Sequence, residues 1–315
     1  MKLSIISTMY RSAPFLEEFY CRMGASARQL VGDEYEIVLV NDGSPDPSLD
    51  IALGLQANDA HVRIIELSRN FGHHPAIVAG LAHTIGERVF LIDCDLEEQP
   101  EWLVLFAEKM QQENVDVVFG MQEERVSTPL SNFFGGVFWK ALNFLSNVQM
   151  PDNPMTCRLM SRRYVEALLG VGDRVLYLAG VFAWTGFPQL AIPLMKAPRP
   201  HASRSNYNLS RKLLQVVDSF ASFSVAPLSL IFFSGLFIWA GSLIFGLYLL
   251  IYKLISPEMV MTGFTSLMLS LWFLGGSIIL ILGVLGLYIA KIFQEVKRRP
   301  LYIVRNVYPG VRHGS

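Results

Sequence analysis

Two carboxylates one residue apart, Asp93 and Asp95, interrupt the run VFLIDCDLEEQPE. An apolar run ending in acids reads as a buried strand that stops in a turn. There the alternation of strand faces no longer applies, so both side chains can reach one ion. Hard divalent cations, Mg2+ or Mn2+, prefer oxygen ligands and commonly bridge to phosphate oxygens. Such an ion would neutralise a diphosphate as its bond breaks. The same triplet also occurs in capped turns; its place directly after VFLID is what favours the metal.

A second cluster is IVLVNDGSPDPSLD, in which Asn41, Asp42, Gly43 and Ser44 follow another buried-strand pattern and lead into a helix. An acid there can accept hydrogen bonds from a base or ribose, and the glycine permits a tight turn. Helix capping is the alternative reading. A third is LSRNFGHHPA, where Arg69 and the free N–H groups of a helix start can both face an anion. His73 and His74 are adjacent and poorly placed to share one ion, so polar packing or a pyrophosphate contact suits them better.

The elements that must position these residues follow from periodicity. LSIIST, YEIVLVND, VRIIELS, RVFLIDCD and VDVVFGM read as strands; PFLEEFYCRMGASARQL, PSLDIALGLQAND, HHPAIVAGLAHTIG and PEWLVLFAEKMQQEN carry helical spacing. The alternation predicts a largely parallel, Rossmann-like sheet covered on both faces over residues 1–210, with ligands beyond the carboxyl ends of its strands. Within 315 residues, 52% of them hydrophobic and with a net charge of −1, nothing suggests a nucleic-acid binder, which would carry a basic surplus. Cys21, Cys94 and Cys157 lack metal-ligand spacing and give no disulfide framework. The amino-terminal apolar run is too short for a signal peptide and reads as a first strand.

Residues 227–252 and 264–290 are apolar runs each longer than the roughly 20 residues that cross a bilayer. Arg211 and Lys212 before the first, and Lys291, Lys297, Arg298 and Arg299 after the second, predict both termini in the cytoplasm. The aromatic-rich segments at about 129–148 and 211–226 are amphipathic and suit a membrane interface, and 291–315 reads as a basic cytoplasmic tail. The expectation is therefore a multi-pass protein of a bacterial inner membrane with its catalytic part in the cytoplasm.

The ordered set VNDGS, SRNFGHHPA, LIDCDLEE, CRLMSRR, SNYNLSRKL and EVKRRPLYIVR resembles the polyprenyl-phosphate glycosyltransferases of inverting glycosyltransferase family 2, which include bactoprenol glucosyltransferases and dolichol-phosphate mannose synthases. The resemblance spans nearly the whole chain, and the order of the motifs is more specific than any one of them. It implies a GT-A α/β fold with two carboxy-terminal transmembrane helices. It implies a nucleotide-sugar donor (a UDP-sugar first), a divalent metal at Asp93 and Asp95, a polyprenyl phosphate acceptor and a homotetramer. By position, Asp42 would contact the nucleotide, and Arg125, Arg158, Arg204, Ser205 and Tyr207 would sit near the donor diphosphate or acceptor phosphate.

The chain departs from the family in three places. The amino-terminal Pro-X-Tyr-Asn-Glu pattern reads Thr8, Met9, Tyr10, Arg11 and Ser12, leaving Tyr10 as the matching nucleotide contact. Glu97 replaces a glutamine after the metal aspartates and adds a third carboxylate as a metal ligand. The Asp-Phe-Arg-Leu element reads Thr156, Cys157, Arg158 and Leu159, so the family's proposed base is absent and Asp152 or Glu97 are the acids left to assist. A phosphate monoester, largely dianionic at pH 7, needs positioning more than deprotonation. A non-catalytic scaffold that binds nucleotide sugar is the rival reading, and a processive synthase is disfavoured because no Gln-X-X-Arg-Trp element occurs.

Overall fold

The computed structural model describes residues 1–122, 153–173, 178–197 and 264–310, with isolated helical positions at 233, 237 and 244. In chain order the elements are β1 (Leu3–Met9), α1 (Leu16–Val31), β2 (Tyr35–Asn41), α2 (Ser48–Asn58), β3 (Val62–Leu67), α3 (His73–Ala82), β4 (Arg88–Leu91), α4 (Trp102–Glu113) and β5 (Val117–Gln122). After these come β6 (Pro154–Ser161), α5 (Arg162–Val171), α6 (Leu178–Trp184), β7 (Gln189–Leu194), α7 (Phe264–Lys297) and β8 (Val304–Tyr308).

Among the described residues the strands form one sheet in the order β7-β5-β6-β4-β1-β2-β3-β8. The neighbours β4, β1, β2 and β3 are parallel. Their residues are almost wholly buried, including Ile5, Ile6, Ile37, Val38, Leu39, Val40, Ile64 and Ile65, as expected of strands covered on both faces. Helix α1 buries Leu16, Phe19, Met23 and Ala27 along one stripe, while Phe106 of α4 meets Phe90 of β4 edge-on. Each such side chain contributes about 1.5–3 kcal/mol by leaving water. Antiparallel additions make the sheet mixed: β6 lies between β4 and β5, and β8 pairs with β3 at the far edge. The largely parallel expectation thus holds among the described residues: β7 is parallel to β5, and β6 and β8 are the strands that run against the rest.

The chain divides into two compact units, one of residues 1–139, 148–208 and 298–315, the other of 140–147 and 209–297. The second contains α7, a helix of 34 residues. Among the described residues no helix is long and apolar enough to cross a membrane. The expected pair of transmembrane helices, and with it the multi-pass inner-membrane location with cytoplasmic termini, is corrected on this finding. The run at 227–252 and the segments at 129–148 and 211–226 lie outside the described residues, save the three isolated positions.

Candidate active site

The carboxyl ends of β1, β2, β3 and β4 deliver Tyr10, Asp42, Ser68 and Asp93 to one edge of the sheet. Asp42 is buried, and its two oxygens accept from the backbone N–H groups of Phe71 at 2.7 Å and Gly72 at 3.0 Å. Burial raises its pKa and outweighs those two bonds. The carboxylate predicted to meet the nucleotide therefore shapes the loop between β3 and α3. Gly43 is equally constrained, with φ +61° and a would-be Cβ only 2.6 Å from the Asn70 nitrogen. Arg69 lies above this contact, its guanidinium 4.1 Å from the Phe71 ring centroid and bonded to the Asn70 carbonyl.

Asn41 caps the next turn by accepting from Ser44 N–H at 3.1 Å. Asp46 accepts from the Ala13 and Ser48 N–H groups and from the Ser44 and Ser48 hydroxyls. Burial opposes its ionisation, but those bonds outweigh it and hold its pKa below the ordinary value. Tyr10, at 46% exposure, has the Arg11 guanidinium 5.7 Å from its ring centroid, and Arg11 lies in the left-handed region at φ 57°.

Asp93 is the centre of a dense acidic group. Its N–H points to Glu98 Oε2 at 3.4 Å, and Oδ1 lies 3.6 Å from His73 Nε2 at the start of α3. His73 in turn bonds Thr8 through Nδ1 at 3.1 Å, so α3 is keyed to β1 and β4 together, and burial lowers the imidazole pKa. Thr156, which stands where the family pattern has an acid, is among the groups that favour the charged form of Asp93. Burial first, and Asp95 second, push Asp93 up to about 6. Asp95 Oδ1 accepts from Glu97 N–H at 3.2 Å, with Leu96 between them at φ 61°.

Glu98 and Lys196 complete the group, and neither was marked in the sequence. Glu98 is fully buried, and burial followed by the Asp93 charge raises it to about 7. Its Oε1 accepts no hydrogen bond; Lys196 Nζ stands 3.3 Å away as an ion pair and 3.7 Å from Glu97 Oε2. Desolvation opposes the lysine charge, but Glu98, Asp93 and Glu97 outweigh it and raise its pKa. Lys196 follows β7, and Ala197 N–H bonds the Glu97 carbonyl at 2.9 Å, fastening that strand end to the acidic turn. Glu98 was legible as the acid directly after Glu97 in LEEQPE; Lys196, about a hundred residues on, had no local signal.

Among the described residues no three His, Cys, Asp or Glu side chains converge as a ready-made metal cage. Mg2+ and Mn2+ at phosphate-transfer sites take one or two carboxylates and complete their shell with phosphate oxygens and water. Asp93, half-buried and with the charge of Asp95 beside it, fits that chemistry, because a cation would relieve the repulsion. Arg158 is placed differently from expectation. Its buried guanidinium bonds the carbonyls of Met155 and Thr156 and lies 3.4 Å from the Phe182 ring centroid, with burial lowering its pKa to about 10. It holds β6, not an open phosphate. Asp152, Arg125, Arg204, Ser205 and Tyr207 lie outside the described residues.

A mixed α/β sheet that brings carboxylates, a tied loop and a helix start to the ends of its parallel strands is a GT-A-like arrangement. The profile described as glycosyl transferase family 2 matches residues 4–169. A protein named "Putative glycosyltransferases" from Mycobacterium tuberculosis is 41% identical over 98% of this chain and 89% of its own. The bactoprenol glucosyl transferase of Shigella phage SfV is 33% identical over 97% of this chain and 99% of its own. A glucosyl-3-phosphoglycerate synthase structure from Mycobacterium tuberculosis, 18% identical, aligns with 70% of this chain and 79% of its own at a TM-score of 0.48, too distant to bear on the site. The chain belongs to glycosyl transferase family 2 and is a glycosyltransferase of the kind that includes the bactoprenol enzymes.

Proposed function

We propose that the protein transfers one sugar from a nucleoside diphosphate donor, a UDP-sugar first, to a polyprenyl phosphate, with inversion at the anomeric carbon. The observation that carries this reading is the acidic turn at the end of β4: Asp93 and Asp95 beside the start of α3 and the Asp42-tied loop, in a chain whose relatives include enzymes named bactoprenol glucosyl transferase. A phosphate oxygen of the acceptor attacks the anomeric carbon. A new carbon–oxygen bond forms, the bond to the donor diphosphate breaks, and the nucleoside diphosphate leaves with the electron pair. No proton has to move, because a phosphate monoester is largely dianionic at pH 7.

Asp93 and Asp95 would hold Mg2+ or Mn2+, which supplies charge neutralisation at the leaving diphosphate. The chain's own residues do the rest. His73 stands 3.6 Å from Asp93, Lys196 balances the buried Glu98, and Arg69 offers a cation at the loop edge. Preorganised charge and orientation then supply most of the rate. The substitution of Thr156 for an acid suits an acceptor that is already a nucleophile.

The test incubates purified protein in detergent with a polyprenyl phosphate, Mn2+ and a panel of nucleotide sugars, and follows lipid products by mass spectrometry. A product heavier by one sugar that disappears with EDTA supports the reading. Donor hydrolysis alone, or nucleotide binding without turnover across the panel, would overturn it in favour of a binding scaffold.

A further inference from the structure

The motif EVKRRPLYIVR reads as part of a basic tail, yet its last residues enter the sheet. Strand β8 pairs antiparallel to β3, with Ile64 opposite Tyr308, Ile65 opposite Val307 and Glu66 opposite Asn306. The register then shifts: Leu67 faces Val304, so Arg305 is the extra residue of a β-bulge. Bulges re-aim a side chain and recur beside active sites. Here the bulge turns Arg305 onto the carboxyl end of β3. Its Nη1 bonds Glu66 Oε1 at 3.0 Å and its Nη2 bonds the Ser68 carbonyl at 2.8 Å. The Ser68 N–H donates to the Ile303 carbonyl at 2.9 Å. Both main-chain groups of Ser68 are thus held by the 303–305 segment.

Ser68 begins the loop whose other end is fixed by Asp42. Arg69 and Asn70 press on Gly43, Phe71 and Gly72 donate to Asp42, and His73 then meets Asp93. The loop therefore has two anchors: Asp42 toward α3, and the bulge toward β3. Glu66 is the hub of the second, taking Asn306 and Tyr308 on Oε2 while Arg305 takes Oε1. Those bonds keep its pKa below the ordinary carboxylate value although burial opposes this.

We propose that Arg305 is a positioning residue for the donor site, setting the Ser68–Gly72 loop through the Ser68 carbonyl. The inference rests on the reading of that loop as a donor contact. A planar guanidinium reaches Glu66 and Ser68 together, which a lysine ammonium does only in part. Tyr308 touches Glu66 from the far end of the strand and leaves Ser68 alone, so Tyr308→Phe reports loosening of β8 without loss of the loop contact.

The experiment measures UDP affinity by calorimetry, amide hydrogen exchange of the full chain, and donor kinetics for wild type, Arg305→Ala, Arg305→Lys and Tyr308→Phe. Arg305→Ala is expected to weaken UDP binding and raise donor KM about five- to tenfold, with kcat changed less than about twofold. Exchange at 68–72 should rise in the same variant, Arg305→Lys should recover part of the affinity, and Tyr308→Phe should leave UDP affinity unchanged. Equal UDP affinity in Arg305→Ala and wild type, or the same loss in Tyr308→Phe, would overturn the proposal. Binding and exchange are read without turnover, so an inactive wild type would refute the transfer reaction and leave this inference to be judged on its own.

Discussion

Asp93 carries two opposed demands. Its site needs a carboxylate, yet burial and the neighbouring Asp95 hold its pKa at about 6, against an ordinary value of 3.8. A carboxyl raised on folding binds more protons in the folded than in the unfolded state, so ionising it costs stability as pH rises from about 4 to about 6. For Glu98 the window runs from about 4.5 to about 7. Asp93→Asn should therefore lose transfer activity by at least about a hundredfold. It should also raise the melting temperature of the metal-free protein at pH 7.5 by a few degrees, with little difference at pH 4; calorimetric melts at both pH values check this. Mn2+ affinity of the wild type, followed by electron paramagnetic resonance, should rise with pH through 6–7 as the carboxyls release protons. Gly43→Ala should cost about 1–3 kcal/mol, since a Cβ at φ +61° meets the Asn70 nitrogen; denaturant unfolding measures it, and UDP affinity should fall alongside.

Among the elements, the five strands and four helices from Leu3 to Gln122 were legible because short, mostly buried β-branched runs alternate with longer mixed segments, of which α1 has a clear apolar stripe. The later strands were not. β6 contains Thr156, Cys157 and Arg158, and a buried arginine in its middle breaks the apolar signal although the tertiary structure gives it carbonyl and ring partners. β8 is a half-exposed edge with Arg305 and Asn306 inside it, which by composition is a polar tail. Asp42 and Asp93 were readable from their place after apolar runs, whereas Lys196 is brought in by β7, and that strand had not been recognised. Arg158 was named from the family motif, and the structure gives it two backbone carbonyls and a ring as partners. Arg158→Ala should lower the melting temperature by several degrees, because two buried carbonyls lose their donor, while donor KM in the surviving folded fraction stays within about twofold. A fall in kcat without a change in melting temperature would restore the catalytic assignment.

For the whole molecule, the candidate site is assembled from strands spread across the first unit, with its metal-ligand candidates next to the Asp42-tied loop. Mn2+ and UDP should therefore stabilise cooperatively. Each alone should raise the melting temperature modestly, and the pair should exceed their sum, with about 2.7 kcal/mol expected for a ligand at a hundred times its Kd. Differential scanning fluorimetry with the four combinations tests this, and strict additivity would argue against a shared site. The order in which the sheet can be built has a further consequence. Glu66 waits for Asn306, a partner 240 positions later in the chain. While a ribosome is still making the intervening residues, the outer margin of β3 has its hydrogen-bonding groups unpaired, a template on which another nascent chain could align. Synthesis is thus a period of exposure for this protein. The Ser68–Gly72 loop acquires its second anchor only when translation has passed Tyr308, so chains stalled or cleaved earlier would tend to self-associate.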